Sequence, residues 1–213
     1  MCTAGRCRSP IAAAIFEKYL KQAHSRVSVG SVGLRYTGEP TPSVGISLLD
    51  EFGVKLQSNR STELTRELAD EADLILGMTR EHVRDIVDLS PDAWPKTFTM
   101  KDFARRVEQA SPRRKHQRVD DWLAILGEDR SPYDLFSAGS DDDLIDPFGQ
   151  RAKVWRQLIA EVDVLARKIV PALGLAQAQP RKVVRIQRHY EAAPFSTAPE
   201  DEEQLQGRVN VAR

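Results

Sequence analysis

The residues best placed for chemistry stand in the first ten positions, where a cysteine is followed after five residues by an arginine and a serine. Cys2, Arg8 and Ser9 precede Pro10, which suits the first turn of a helix because its missing N–H is not needed there. A loop that leads into a helix N-terminus points backbone N–H groups inward, and the helix dipole adds partial positive charge. The stretch therefore predicts an anion site with a thiol at its mouth.

In such a site the thiol of Cys2 becomes a nucleophile. The loop amides, the helix dipole and Arg8 all favour the thiolate, which lowers the cysteine pKa from about 8.5 into the range of about 3.5 to 7.5. Arg8 suits bidentate binding of a phosphoryl group, and Ser9 can donate a hydrogen bond to the sulfur. Gly5 supplies the positive φ that a wrapped loop needs. The alternative interpretation is a loop cysteine beside a surface arginine.

Composition limits the class of protein. The chain has 213 residues with 31 basic and 31 acidic side chains, so no overall charge favours nucleic acid or an anionic membrane as a partner. No signal peptide and no run of about 18 apolar residues is visible, so a cytoplasmic location is expected. The two cysteines lie in one loop, which excludes a disulfide framework and fits a reducing compartment. The four histidines are scattered, so neither a metal site nor a cofactor is expected.

Alternating strand and helix patterns predict an α/β fold with a parallel sheet. Strands are expected at 27–32, 74–76 and 97–100, and helices from 10, from 43, from 65, at 79–89 and at 150–170. Ser43 and Thr65 are the expected N-caps of the second and third helices, and Pro171 is expected to end the last one.

The first ten residues resemble the low-molecular-weight protein tyrosine phosphatase family, whose signature is close to Cys-Thr-Gly-Asn-Ile-Cys-Arg-Ser-Pro. The spacing is kept, but Ala4, Gly5 and Arg6 stand where the family usually has glycine, asparagine and an aliphatic residue. Segments 38–40, 59–65 and 72–78, followed by His82, also look like family landmarks. The resemblance covers about residues 1–105 and 140–172 and implies a flavodoxin-like parallel sheet flanked by helices.

The resemblance implies a metal-independent phosphomonoesterase that forms a cysteinyl phosphate. Cys2 attacks phosphorus and Arg8 holds the phosphoryl oxygens. The other phosphate-binding positions carried over from the family signature are Thr3, Ala4, Gly5, Arg6, Cys7 and Ser9.

This chemistry also needs a carboxyl group that protonates the leaving oxygen and later activates water. By residue chemistry alone, Asp141, Asp142, Asp143 and Asp146 are equal candidates. The family places its acid in an Asp-Pro-aromatic motif just before the last helix, and that resemblance selects Asp146.

Two further residues have two interpretations of equal weight. Phe148 either forms a wall of the pocket against an aryl ring or packs in the core. Cys7 either traps an oxidised Cys2 as a reversible disulfide or is a small buried residue.

The substrate that the resemblance suggests is phosphotyrosine on a protein, with a tyrosine kinase as a possible counterpart. A protein-arginine phosphatase of the same fold is the nearest alternative. An arsenate reductase is improbable, because that chemistry needs further cysteines and none follows Cys7. The alternative from another class is a catalytically weak oxyanion-binding or interaction protein.

Three features depart from the family. An apolar central strand precedes the family's phosphate loop, whereas Met1 alone precedes Cys2 here. Losing about four buried side chains costs ~6 to 12 kcal/mol, which is comparable with the stability of a whole domain. The hypothesis is therefore an upstream start or a compromised product. The phosphatase domain is expected at 1–175, with a longer insertion near 106–140, and 176–213 is expected to be a disordered tail. The basic stretch 112–118 in the insertion is expected to be a solvated helix face, with a docking patch as the alternative.

Overall fold

The computed structural model describes residues 1–35, 37–56, 60–136 and 141–174, so the expected tail lies outside the described residues. The helices are α1 (Arg8–Gln22), α2 (Ser43–Glu51), α3 (Arg66–Glu71), α4 (Arg80–Leu89), α5 (Met100–Gln109), α6 (Val119–Leu126) and α7 (Ala152–Ala172). The strands are β1 (Ile75–Gly77) and β2 (Thr97–Thr99), and short 3₁₀ helices occupy Pro91–Lys96 and Pro132–Phe136.

The sheet is parallel. β1 and β2 pair with Ile75 opposite Thr97, and parallel bridges join Cys2 to Gly33 and Gly33 to Glu63. Helices pack around this sheet, so the expected α/β class is confirmed. The predicted strand at 27–32 is wrong, because of these residues only Val32 has a neighbouring backbone to pair with.

Met1 and Cys2 occupy the place of a central strand. The α-amino group of Met1 donates to the carbonyl oxygen of Leu76 at 2.7 Å. The N–H of Cys2 donates to the carbonyl oxygen of Val32 at 3.3 Å. Beside Met1 lies a cavity of about 290 Å³, lined mainly by apolar side chains and flanked by residues 27–32 on one side and 74–76 on the other. The cavity lies where an apolar strand leading into Cys2 is expected.

The main core is formed where α1 packs on α7, with Ile11, Ile15, Trp155, Leu158 and Ile159 fully buried. Thr65 caps α3 as predicted, since its side chain accepts from the N–H of Leu68. Two predicted boundaries are wrong. Ser43 is the first residue of α2 rather than its N-cap, because the chain enters the helix from Pro42. Pro171 lies within the last turn of α7, and Gly174, at φ +64°, turns the chain away after the helix ends.

The described part of the predicted insertion, 106–136, contributes to the core. Its helix α6 buries Trp122, whose ring meets that of Phe103 edge-on at 5.9 Å between centroids. The basic stretch 112–118 is not a helix, so that prediction is wrong. Arg113 in this stretch is buried and donates to the carbonyl oxygen of Leu173 at 2.9 Å. Among the described residues, no helix has the length and apolar character needed to cross a membrane.

Candidate active site

The phosphate loop, residues 2–9, runs from the strand-like Met1–Cys2 segment into the first turn of α1. Gly5 has φ +63°, the left-handed conformation that the sequence predicted for it. A Cβ on Gly5 would lie 2.8 Å from the N atom of Gly33, and one on Gly33 would lie 2.5 Å from the N atom of Gly5. The loop can therefore pass this close to residue 33 because both positions are glycine.

The Cys2 thiol lies at the base of this loop and is buried. Its Sγ is 3.2 Å from the Oγ of Ser9, and that Oγ is also 3.3 Å from the carbonyl oxygen of Val32. The single hydroxyl proton of Ser9 can be given to either acceptor, and a thiolate is the stronger one. Burial alone raises the pKa of Cys2, but the Met1 α-ammonium, the hydrogen bond from Ser9 and the charge of Arg8 outweigh it, so the pKa lies below its ordinary value. A thiolate is therefore favoured at the position where the sequence predicted a nucleophile.

The Met1 amine and the Cys2 thiol titrate together. Burial lowers the pKa of the α-amino group from 8.0 to about 6, while the neighbouring Cys2 thiolate works in the opposite direction. Above about pH 6 the amine is mainly neutral and stabilises the thiolate less. Ser9 and Arg8 then remain as the partners that stabilise the negative sulfur.

Arg8 is the buried cation of the site, with a side chain 7% exposed. Its Nη2 donates to Oδ2 of Asp146 at 2.8 Å, and its Nη1 donates to the carbonyl oxygen of Leu144 at 3.4 Å. Its Nε is buried with no hydrogen-bond partner in the described part of the chain. A buried donor of this kind is costly to leave unpaired, and an oxyanion would satisfy it.

In the acidic loop, residues 141–149, three of the four aspartates have different partners. Oδ1 of Asp142 accepts from Arg105 at 2.8 Å, and Oδ1 of Asp143 accepts from the N–H of Arg80 at 2.8 Å. Asp146 instead bonds Arg8, and its Oδ1 accepts from the N–H of Phe148 at 3.0 Å. Asp146 is thus the carboxylate of this loop that the structure brings to Arg8.

Arg6 and Phe148 form one rim of the site. The guanidinium carbon of Arg6 lies 4.2 Å from the centroid of the Phe148 ring, and its Nη1 is 2.9 Å from Oε2 of Glu39. The Phe148 side chain is 55% exposed, so the interpretation of Phe148 as a core contact is wrong. The site consequently has an aromatic face covered by a cation that is itself paired.

His82 supports the loop from behind. Its Nε2 lies 2.8 Å from Oγ1 of Thr3, and its Nδ1 lies 2.8 Å from Oγ1 of Thr79. Burial, the charge of Arg8 and the Met1 ammonium lower the pKa of His82 from 6.5 to about 3. The imidazole is therefore neutral at physiological pH and joins the phosphate loop to the start of α4.

The remaining loop residues are placed as follows. Ala4 is partly buried, and Cys7 is buried and free, as is Cys2. Burial, the Cys2 thiolate and Asp146 raise the pKa of Cys7 to about 11. A disulfide between the two cysteines stays a prediction. Among the described residues, no group of three or more His, Cys, Asp or Glu side chains is arranged to hold a metal ion.

Sequence reasoning missed Glu39 and Arg105. Glu39 lies in the segment 38–40, which the family resemblance pointed to without giving it a role. Arg105 carries no local signal, because its partner Asp142 is 37 residues away in the chain.

Comparison with known families gives a match along more than half of the chain. A family model described as "Low molecular weight phosphotyrosine protein phosphatase" matches residues 1–122. The chain is 30% identical over 178 residues to a "Protein-arginine-phosphatase" of Geobacillus stearothermophilus, which covers 83% of this chain and 95% of that protein. It is also 30% identical over 118 residues to "Low molecular weight protein-tyrosine-phosphatase Etp" of Escherichia coli (strain K12), covering 55% of this chain and 77% of that protein.

Solved structures agree with these matches. A structure described as "YwlE arginine phosphatase from Geobacillus stearothermophilus" aligns with a TM-score of 0.59 and 29% identity, over 81% of this chain and 88% of that one. A low molecular weight protein tyrosine phosphatase from T. tengcongensis aligns with a TM-score of 0.60 and 25% identity, over 80% of this chain and 94% of that one.

Proposed function

Since the chain belongs to the low molecular weight phosphotyrosine protein phosphatase family, we propose that it removes phosphate from phosphotyrosine in proteins, with Cys2 as nucleophile and without a metal. The observation that carries this proposal is the convergence of a buried thiol, a buried guanidinium and a carboxylate at the start of α1. Such a constellation supplies a nucleophile, a phosphate clamp and a proton donor within one concave loop.

In the first step the phosphoryl group takes the place of Asp146 as the main partner of Arg8. Its oxygens accept from Nε and Nη2 of Arg8 and from the amides of the phosphate loop. The Cys2 thiolate attacks phosphorus, the S–P bond forms, and the bond from phosphorus to the tyrosine oxygen breaks. Asp146 gives its proton to that oxygen, so that tyrosine leaves as the neutral phenol.

In the second step water hydrolyses the cysteinyl phosphate. Asp146, now a carboxylate, takes a proton from the attacking water as the new P–O bond forms. The S–P bond breaks, and Cys2 leaves as a thiolate to which Ser9 donates. Inorganic phosphate departs and Asp146 is again protonated, which balances the cycle.

Features of the rim support an aryl substrate. Arg6 covers one face of the exposed Phe148 ring, and the other face could stack on a tyrosine ring. Arg6 would disfavour the guanidinium group of phosphoarginine through like-charge repulsion, which the Glu39 carboxylate at 2.9 Å from Arg6 reduces. The physiological partner is then a tyrosine-phosphorylated protein with a tyrosine kinase as counterpart, and neither nucleic acid nor membrane is a partner. A working thiolate fits a reducing, cytoplasmic location.

Phosphoarginine is the second candidate substrate. The observation that favours it is the length of the alignments. The alignment with the relative named as an arginine phosphatase covers 83% of this chain, whereas the alignment with Etp covers 55%. Proteins carrying phosphotyrosine and proteins carrying phosphoarginine, offered at equal concentration, separate the two candidates. Faster release from phosphotyrosine supports the main proposal, and Arg6→Ala should then raise the relative rate on phosphoarginine.

The first experiment is hydrolysis of para-nitrophenyl phosphate with EDTA present. Activity that persists in EDTA and is lost in Cys2→Ser supports a metal-independent thiolate mechanism. Tight binding of inorganic phosphate without turnover in the folded parent chain would instead indicate an oxyanion-binding protein.

A further inference from the structure

We propose that Arg105 on α5 is a positioning residue for Asp146, because it clamps Asp142 and so holds the acidic loop in its working place. The inference rests on the proposed role of Asp146 as general acid. Arg105 lies outside the phosphate loop and would contact neither the phosphate nor the leaving group.

The clamp is bidentate. Nη1 of Arg105 lies 2.8 Å from Oδ1 of Asp142, and Nη2 lies 3.4 Å from Oδ2. The same Nη2 donates to Oδ1 of Asp102 at 2.7 Å, which fixes the guanidinium relative to α5. The guanidinium is half-exposed, but the side chains of Asp102 and Asp142 are only 14% and 21% exposed. Both carboxylates are therefore largely shielded from water. When Arg105 is removed, Asp102 keeps its contact with Arg106 at 2.9 Å, whereas Asp142 loses its charged partner.

The anchors of the acidic loop lie on one side of Asp146. Asp142 is held by Arg105, Asp143 by the N–H of Arg80, and the N–H of Leu144 donates to the carbonyl oxygen of Met78 at 2.8 Å. Leu144 is also buried. These three successive residues tie the loop to α5, to α4 and to the residue after β1.

Asp146 itself is weakly held during the reaction. In this structure it bonds Arg8 and the N–H of Phe148, and its side chain is 52% exposed. Once the phosphoryl group occupies Arg8, the carboxyl group loses its strongest partner. Its position then depends on the anchors at 142–144. Among the contacts that these three residues make within the described part of the chain, the Arg105–Asp142 pair is the one between two charged side chains.

The test compares two substrates in Arg105→Met. Phenyl phosphate has a poor leaving group that needs a proton, and para-nitrophenyl phosphate has a good one that needs little. We expect kcat/KM for phenyl phosphate to fall about tenfold, part of the ~10² to 10⁴ that a positioned acid supplies. The value for para-nitrophenyl phosphate and the inhibition constant of inorganic phosphate should change less than about twofold. A loss of folded protein would lower the turnover of both substrates equally. A purely structural role therefore predicts that the ratio of the two kcat/KM values stays unchanged.

Arg156→Met is the matched control. Arg156 on α7 is also half-exposed and also pairs with a carboxylate, that of Glu51 at 3.2 Å, but this pair lies outside the acidic loop. The ratio of the two substrates should stay at the parent value in this variant. Arg105→Lys, which keeps one charged contact, should recover part of the loss. If Arg105→Met fails to fold, Asp142→Asn gives the same comparison from the other partner.

Asp146→Asn separates the two possible failures. If Asp146→Asn leaves the substrate ratio unchanged, Asp146 is not the general acid, and the inferred role of Arg105 is then also wrong. If Asp146→Asn lowers phenyl phosphate turnover selectively while Arg105→Met and Asp142→Asn leave the ratio at the parent value, the role of Arg105 alone is overturned.

Discussion

Replacing His82 with glutamine should remove much of the acid sensitivity of the fold between pH 7 and pH 5. The imidazole is buried between Thr3 and Thr79, and its pKa falls from 6.5 to about 3 because of burial, Arg8 and the Met1 ammonium. In the unfolded chain the same imidazole becomes protonated near pH 6.5. Between these two values the unfolded state binds a proton that the folded state does not, so stability rises with pH across that window and is lost as the pH falls.

The magnitude follows from the pKa difference. Each pKa unit corresponds to about 1.36 kcal/mol. Of the fall from pH 7 to pH 5, about one and a half units lie below the pKa of the imidazole in the unfolded chain, and only these cost stability. His82 should therefore account for about 2 kcal/mol of the stability lost over that interval. The Met1 amine, whose pKa also falls on folding, adds to the pH dependence of the parent and of the variant alike, so it cancels in their difference.

Urea unfolding of the parent and of His82→Gln at pH 7 and pH 5 measures this difference. At pH 7 the variant should be less stable than the parent by about 1 to 3 kcal/mol, because its hydrogen bonds to Thr3 and Thr79 are disturbed. Between pH 7 and pH 5, however, its free energy of unfolding should fall by about 2 kcal/mol less than that of the parent. His24→Gln, at an exposed position, is the control and should behave as the parent does. Equal losses in the parent and in His82→Gln would refute the argument that a buried neutral imidazole supports the phosphate loop.

Three further predictions concern the phosphate loop and the cavity beside Met1. Ser9→Ala should raise the pH midpoint of Cys2 alkylation by iodoacetamide, because the hydrogen bond from Ser9 helps to lower the pKa of Cys2; an unchanged midpoint would show that Ser9 does not stabilise the thiolate. Gly33→Ala should weaken inhibition by inorganic phosphate more than about tenfold, because its Cβ would lie 2.5 Å from the N atom of Gly5; parent-like inhibition would contradict this. Four apolar residues added before Met1 should fill the adjacent cavity. Burying four such side chains fully contributes ~6 to 12 kcal/mol, and we expect the free energy of unfolding to rise by about half of that. An unchanged free energy of unfolding would refute this prediction.

Elements set by local signals could be predicted from the sequence. Thr65 caps its helix through a side chain that accepts from the N–H three residues on. The positive φ of Gly5 likewise depends on neighbouring residues. The start of α1 was predicted less well, because the helix begins at Arg8 rather than at Pro10. The strand at 27–32 failed because a strand needs a partner as well as an alternating pattern, and residue 32 alone pairs with the Met1–Cys2 segment.

Contacts between distant segments could not be predicted in this way. Four aspartates in one loop are chemically equivalent until the fold gives each a partner, so family resemblance rather than residue chemistry selected Asp146. The rim contact between Arg6 and Phe148 joins residues that are far apart in the chain. Arg113 was expected on a solvated face, but its guanidinium is buried against carbonyl groups that follow α7.

The Arg8–Asp146 pair links substrate binding to acid catalysis in the proposed mechanism. The carboxylate now neutralises the cation that a phosphoryl group requires, so a monoanionic ligand gains little by replacing it, whereas a phosphate dianion brings more charge and three oxygens. The same exchange takes the guanidinium of Arg8 away from Asp146, which then keeps the N–H of Phe148 as its hydrogen-bond donor. Phosphate binding would thus both fill the loop and free Asp146 to face the leaving group, which is why the anchors of the acidic loop matter most after Arg8 has been released.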